Sequence, residues 1–290
     1  MKKTVFAAAW LVAMTGATLA ADLGKGPVPA LAPVAVGPWD FAIGAGVTSN
    51  YLFRGISQSN NRPSVNATGE LRYNVDSTWQ LYVGAAGASI KLTNQDTSTP
   101  SVELDVFGGV RASFGNFSAD VGAIAYTYHG RGVVPALAVF PTNPTFYEGY
   151  VKLGYKVTDW LNLGANAYYS PNFLDTGAAA TYLSGTAKIT LPHDFAVSGE
   201  LGRQIFHGAN DLVHGGPALK QASYNYWNAG LSYTFKFATL DLRYHGTSLS
   251  KTSCATITGP TNFFAPAQSK YCGSTFVASL NFALEGKDLK

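Results

Sequence analysis

Between Trp39 and Phe282 apolar and polar positions alternate in segments of ten to thirteen residues, repeated about a dozen times, with aromatic residues marking most segment ends. The clearest segment is Val102 to Phe114. There Val102, Leu104, Val106, Gly108, Val110, Ala112 and Phe114 fall on one face, and Glu103, Asp105, Arg111 and Ser113 on the other. A period of two is the side-chain period of a β-strand. It predicts strands over 39–54, 64–74, 79–91, 101–114, 117–129, 145–156, 160–170, 179–191, 195–206, 223–235, 238–246 and 274–284. A soluble sandwich would turn the charged face outward, whereas a membrane barrel turns the apolar face to lipid and the polar face to its lumen. Alternation alone leaves both open.

Three further features favour the barrel. The chain opens with Lys2 and Lys3, an apolar run from Val5 to Met14, and small residues leading to Thr18-Leu19-Ala20. This is the layout of a secretory signal peptide, predicted to span 1–20 with cleavage after Ala20. The run is too short for a membrane helix, and nothing after it approaches the roughly 18 apolar residues a span needs. Composition is the second feature. Only 13% of residues are charged, Gly, Tyr and Phe number 31, 16 and 17, and mean hydropathy is +0.06. Alternation averages hydropathy away in such barrels. Without Lys2 and Lys3 the twenty basic residues fall to eighteen against seventeen acidic ones, scattered singly, so no basic stripe is present to track nucleic acid.

The third feature is the placing of aromatics. Trp39, Tyr73, Trp79, Phe114, Phe117, Tyr155, Trp160, Phe195, Phe235, Phe237 and Phe282 fall at one set of strand ends. Tyr51, Phe53, Tyr128, Tyr147, Tyr169, Phe206, Tyr224, Tyr244 and Phe276 fall at the other. Two such girdles are what membrane interfaces select, because a Trp or Tyr ring is apolar in body and polar at its tip. Connections are short at one end (75–78, 115–116, 157–159, 192–194, 236) and long at the other (55–63, 92–100, 130–144, 171–177, 207–222, 247–273). The reading is therefore an all-β fold: a transmembrane antiparallel β-barrel of about 12 strands, with short periplasmic turns and long extracellular loops, in the bacterial outer membrane. Residues 21–38, with Pro27, Pro29, Pro33 and Pro38, read as a Pro-rich periplasmic tail, 39–284 as the barrel and 285–290 as a short C-terminal tail.

The first hairpin carries a resemblance. Ser49-Asn50-Tyr51-Leu52-Phe53-Arg54-Gly55-Ile56-Ser57-Gln58-Ser59, followed by Arg62-Pro63, is similar to the hallmark of the TorF-type porin family, small proteobacterial outer-membrane β-barrel proteins. The resemblance is specific over about a dozen residues and extends to the rest only in pattern. It implies an outer-membrane barrel classed with porins and names no substrate. Within it Tyr51, Phe53, Arg54, Gly55, Ser57 and Gln58 are the motif positions. Arg54 is expected in the lumen near the mouth, Gly55 permits a sharp turn, and Ser57 and Ser59 can bond loop backbone. Both a structural anchor for the loop and a solute contact fit these residues.

Parity places the charged lumen lining at Arg54, Glu70, Arg72, Glu103, Asp105, Arg111, Asp120, Glu148, Lys152, Lys188, Glu200, Asp241 and Arg243, seven acids against six bases. Setting Phe114 opposite Phe117 puts Arg111 opposite Asp120. Arg203 breaks the parity and points at lipid, unless it snorkels or a bulge shifts the register. Twelve strands lie between barrels filled by side chains and barrels that carry water. The leading reading is a porin-like channel for passive diffusion of small hydrophilic solutes or ions through a narrow, charge-balanced lumen. The alternative is a non-conducting structural or adhesin-like barrel acting through its extracellular loops. Loop cations Arg62, Lys91, Arg131, Lys220, Lys251 and Lys270 outnumber Asp96, Asp175 and Asp211, which gives a mild anion preference or a contact with lipopolysaccharide phosphates.

Cys254 and Cys272 share the last long loop, and an exported chain is expected to join them as a disulfide. Two sulfurs without further spaced ligands give no metal site, and no cofactor is expected. His129, His207, His214 and His245 lie at loop bases or in loops without a Gly-x-Ser-x-Gly elbow or an anchored Ser-His pair, so catalysis is not expected. Expected partners are outer-membrane lipid, lipopolysaccharide and small solutes, with no nucleic acid.

Overall fold

The computed structural model describes residues 38–92, 100–130, 145–208, 221–258 and 268–289. The signal-peptide segment, nearly all of the Pro-rich tail, and loop residues Asp96, Arg131, Asp211, His214 and Lys220 lie outside these.

Twelve antiparallel strands close into one barrel. In chain order they are β1 (Trp39–Thr48), β4 (Ser64–Asn74), β5 (Trp79–Ser89), β6 (Val102–Phe114), β7 (Phe117–His129), β8 (Phe146–Lys156), β9 (Leu161–Ser170), β10 (Ala179–Thr190), β11 (Phe195–His207), β12 (Tyr224–Phe235), β13 (Ala238–Thr247) and β14 (Thr275–Glu285). Two short strands, β2 (Leu52–Phe53) and β3 (Ile56–Ser57), pair with each other apart from the wall. A helix α1 (Lys251–Thr258) stands in the last long loop. Each strand pairs with its sequence neighbour along the wall, and β1 joins β14 over Ala42↔Glu285 to Thr48↔Ser279.

The alternation is inside out relative to a soluble protein. In β6 Val102, Leu104 and Val106 are exposed, while Glu103 and Asp105 between them are buried at 2% exposure. Apolar side chains face outward all round the wall, from Ile43 and Val83 to Leu201 and Leu242. Only a closed barrel satisfies every backbone hydrogen bond in lipid without a helix. With its apolar exterior and charged interior, this is an outer-membrane barrel. No helix among the described residues is long and apolar enough to cross a membrane.

All eleven aromatics assigned to the short-turn rim are exposed, Trp39, Phe235 and Trp160 most among them. The tight turns follow from local chemistry: Gly115 (φ 60°) in a two-residue link and His193-Asp194 (φ 60° and 62°) adopt the left-handed geometry that matches strand twist. The opposite rim needs correction. Tyr147, Tyr169, Tyr244 and Phe276 are exposed there, but Tyr51, Phe206 and Tyr224 are buried inside the barrel, and Phe53 and Tyr128 pack against the same interior cluster. Phe206 and Tyr224 share the inward parity of their strands, and proximity to a loop does not override it.

The predicted first strand, 39–54, is also corrected. β1 ends at Thr48, and the chain leaves the wall. The other predicted boundaries agree within two residues. β14 runs on to Glu285, whose side chain is buried and belongs to the interior rather than to a tail.

Candidate functional site in the barrel interior

Segment 49–63 folds into the half of the barrel nearer the long loops, called the outer half below, and its own polar residues shape it. Asn50 Oδ1 accepts from Ser57 Oγ at 2.7 Å and from Ser59 Oγ at 3.1 Å. Ser59 Oγ also accepts from the Tyr51 amide at 2.9 Å and donates to the Arg62 carbonyl at 2.6 Å. The motif serines are therefore internal staples of an inward hairpin, β2 and β3. Its tip is Arg54 (φ 47°) followed by Gly55 (φ 81°). A Cβ on Gly55 would lie 2.4 Å from Thr247 Cγ2 and 2.7 Å from Tyr226 Cδ2, so both the backbone and the space require glycine. Arg54 has no such licence, and its left-handed conformation persists because the surroundings impose it.

Those surroundings come from β8, β10, β11 and β12 of the wall. Arg54 is fully buried and forms a two-pronged ion pair with Glu148 of β8, Nη1 to Oε1 at 2.9 Å and Nη2 to Oε2 at 2.7 Å. Nη1 also donates to Gln204 Oε1 of β11 at 2.8 Å. The Tyr224 hydroxyl of β12 donates to the Arg54 carbonyl at 3.2 Å. The guanidinium lies 4.3 Å from the Tyr182 ring centroid and 4.6 Å from that of Phe53. A paired guanidinium with aromatic faces tolerates burial that an isolated charge would not.

Aromatic packing completes this outer layer. Phe53 meets Tyr126, Phe146 and Phe173, with Tyr126 and Phe146 stacked at 4.4 Å. Phe173 enters from a 3₁₀ turn (Phe173–Asp175) in the loop after β9, a segment without the alternation that would mark it as turning inward. Tyr51 donates its hydroxyl to Glu103. Packed side chains occupy much of the lumen at this end.

Beneath this layer, on the β4–β8 side, lies a charged network. Arg111 grips Glu70 with two hydrogen bonds of 2.7 and 2.8 Å and reaches Asp120 at 3.4 Å. Arg111 and Asp120 are register partners, as are Phe114 and Phe117. Arg72 bonds Glu70 at 2.5 Å and Glu285 at 3.2 Å, tying β4 to β14 across the barrel seam. Tyr82 donates to Asp120 at 2.5 Å, and its hydroxyl also meets that of Tyr150. Register partners Gly109 and Gly122 make room for these two rings. A Cβ on Gly109 would lie 2.8 Å from the Tyr82 hydroxyl, and one on Gly122 2.6 Å from that of Tyr150.

On the β8–β14 side the lower interior differs. Its inward positions, Asn162, Asn166, Lys188, Ser198, Asn228, Ser232 and Asn281 among them, are half-buried and polar. Lys152 keeps 21% of its side chain exposed, packs on the Tyr150 ring and lies 3.8 Å from Asp120. Arg243 pairs with Asp241 at 2.9 Å and bonds Asn228 and Ser198. Glu200 accepts from Tyr182 at 2.9 Å. Lys188 has no ion-pair partner among the described residues. This polar lower interior, called the chamber below, lies beneath the Arg54 layer.

The thirteen charged residues assigned by parity thus divide in two. Arg54, Glu103 and Glu148, with Asp105 buried beside them, belong to the packed outer layer; the rest form the network and chamber below. Arg203 is exposed on the outer wall without any bulge, as its parity indicates. Arg62, Lys91, Lys251, Lys270 and Asp175 are exposed in loops. His129 and His207 are exposed at the rim, bonded to Thr127 and Thr181, while His245 is buried against the Tyr226 hydroxyl at 2.9 Å. No group of three or more His, Cys, Asp or Glu able to hold a metal occurs among the described residues.

Cys254 and Cys272 form a disulfide with Cα atoms 5.8 Å apart. It ties α1 to the approach to β14 directly over the hairpin: the Tyr271 carbonyl accepts from the Ser57 amide at 2.8 Å, and the Cys272 carbonyl from Thr247 Oγ1 at 2.6 Å.

Among solved structures, the chain is similar to an outer membrane channel from Pseudomonas putida F1, at 11% identity over 88% of this chain and 97% of that one, with a TM-score of 0.48. It is similar to the P. putida toluene transporter TodX at 13% identity, over 87% and 90% of the two chains, with a TM-score of 0.44. For the KdgM porin the values are 11% identity, 84% and 98% coverage, and a TM-score of 0.44. No curated protein matches the chain. Over residues 32–276 it matches the family described as "Bacterial protein of unknown function (Gcw_chp)", and to that family the chain belongs.

Proposed function

We propose that this barrel is a porin-like channel for passive diffusion of small hydrophilic solutes or ions, its passage narrowed at the long-loop end by segment 49–63. The observation that carries this reading is the lower chamber. A barrel built only as a scaffold fills its interior with packed side chains, whereas here a set of inward positions on β9 to β14, among them Asn162, Asn166, Lys188, Ser198, Asn228 and Ser232, are half-buried amides, hydroxyls and an ammonium group. The likeness of the first hairpin to the TorF-type porins supports the same reading. A mild anion preference, from the exposed loop cations Arg62, Lys91, Lys251 and Lys270, belongs to it. So do a cleaved export signal over 1–20, a periplasmic tail over 21–38, and long loops on the cell exterior.

A second reading, a non-conducting barrel acting through its outer loops, is favoured by the complete burial of Arg54 and its aromatic neighbours. Planar-bilayer recording of the wild type beside Arg54→Ala and a variant lacking residues 52–58 separates the two. The channel reading expects a small wild-type conductance that rises in both variants, with permeability favouring chloride over potassium. Silence from all three, with each shown to be folded by heat-modified gel mobility, removes it in favour of the second.

A further inference from the structure

Arg203 is the one Asp, Glu, Lys or Arg on the outward face of the twelve strands, among the described residues, and Asn225 is the one amide with it. They are register partners on β11 and β12, and Arg203 Nη1 donates to Asn225 Oδ1 at 2.9 Å. No carboxylate among the described residues pairs with this guanidinium. A charge facing hydrocarbon is costly, and near an interface the cost falls as a long side chain reaches the headgroups. Arg203 is two residues below Ile205, whose row across the wall holds the exposed rim residue Tyr169. It therefore stands just under the girdle at the long-loop end.

A groove of about 750 Å³ runs across the wall below it, from β8 to β12. Register shows how it forms. One row reads Leu153, Ala165, Gly185, Leu201 and Trp227 across five strands, and the next row outward reads Val151, Ala167, Leu183, Arg203 and Asn225. Ala165, Ala167 and Gly185 leave the wall without bulk at its centre, while the Leu201 and Trp227 side chains rise beside them. An apolar trough five strands wide, with one unpaired cation and an amide at its outer end, is complementary to a lipid that joins acyl chains to an anionic phosphate.

We propose that this groove is a binding site for lipopolysaccharide, with acyl chains along the Ala165–Gly185 trough and a phosphate of the lipid anchor on Arg203 and Asn225. The proposal rests on the orientation proposed above, with the long loops on the cell exterior: Arg203 then stands in the outer leaflet, and that position favours this lipid over a phospholipid. The site lies on the outer surface and does not depend on whether the lumen conducts.

The test compares the wild type, Arg203→Leu and Arg203→Lys in vesicles of phosphatidylcholine alone, with added phosphatidylglycerol, or with added lipopolysaccharide, reading urea unfolding by tryptophan fluorescence. In phosphatidylcholine alone Arg203→Leu unfolds at the same or higher urea than the wild type, because a charge has left the lipid face. In lipopolysaccharide the order reverses, Arg203→Lys keeps part of the gain, and native mass spectrometry finds lipopolysaccharide retention about fivefold weaker in Arg203→Leu. Any of three results overturns the proposal: the same order in every lipid, which marks a purely structural Arg203–Asn225 bond; equal gain from phosphatidylglycerol; or wild-type oligomers that Arg203→Leu dissociates with lipopolysaccharide absent.

Discussion

Arg54 and Glu148, ninety-four residues apart, meet in a two-pronged ion pair from which water is excluded, with the arginine at 0% and the glutamate at 1% exposure. The pair joins an inward loop to the long-loop end of β8, so it decides both where the loop rests and how much of the lumen is filled.

Replacing one partner leaves the other as an uncompensated buried charge, which costs about 3–5 kcal/mol. Glu148→Gln is therefore expected to destabilise the hairpin's seat by that order, and Arg54→Met with Glu148→Leu together by less than Glu148→Gln alone. Protease nicking within 52–58 checks the loop, and urea unfolding in lipid checks the wall. Equal effects from the single and double variants would exclude the pair as the latch.

Gly109 and Gly122 are expected to be intolerant of alanine. The added methyl meets the Tyr82 or Tyr150 hydroxyl inside 3 Å and, at Gly122, the Gly108 carbonyl at 2.5 Å. Overpacking of this kind costs about 1–3 kcal/mol. Gly149→Ala is the control, since nothing lies within 4 Å of a Cβ there. Comparing the three midpoints in urea tests the claim.

The disulfide closes a loop with a sequence separation of 18 residues. Its loss by Cys254→Ser with Cys272→Ser lowers the stability of the outer cap by about 3 kcal/mol in the chain-entropy account. Amide hydrogen exchange is expected to rise over α1 and around Ser57, whose amide bonds the Tyr271 carbonyl, while β6 and β7 stay protected. Two free thiols in protein purified without reductant would contradict the bond.

The outward face is checked at Val106, 55% exposed near the middle of β6. Val106→Arg is expected to cost about 2–4 kcal/mol in a bilayer. In exposed turn residue Ser77 the same substitution is expected to change stability by less than about 0.5 kcal/mol.

Strand positions were legible because one face of each strand meets lipid and the other the interior, so period two survives in nearly every segment. The departure at Ser49 was not legible. Tyr51 and Phe53 continue the apolar beat of β1, and alternation reports which side a residue takes relative to its neighbours, not whether the chain still lies in the wall. The signal that existed was Arg54-Gly55, a left-handed pair where a straight strand has none. The filled outer lumen was partly legible too. Tyr82, Tyr126, Tyr150, Tyr168, Tyr182 and Tyr226 all fall on inward parity, which a search for charged lining passed over. Glu285 escaped because the apolar outward face ends one residue before it.

Each of the four interior arginines is already committed: Arg54 to Glu148, Arg72 to Glu70 and Glu285, Arg111 to Glu70 and Asp120, Arg243 to Asp241. To an ion inside the chamber the wall is consequently an electrically sparse surface. Its field is set mainly by the Lys188 ammonium and the Glu200 carboxylate, with Lys152 beside Asp120, and it weakens within roughly 8 Å at physiological salt.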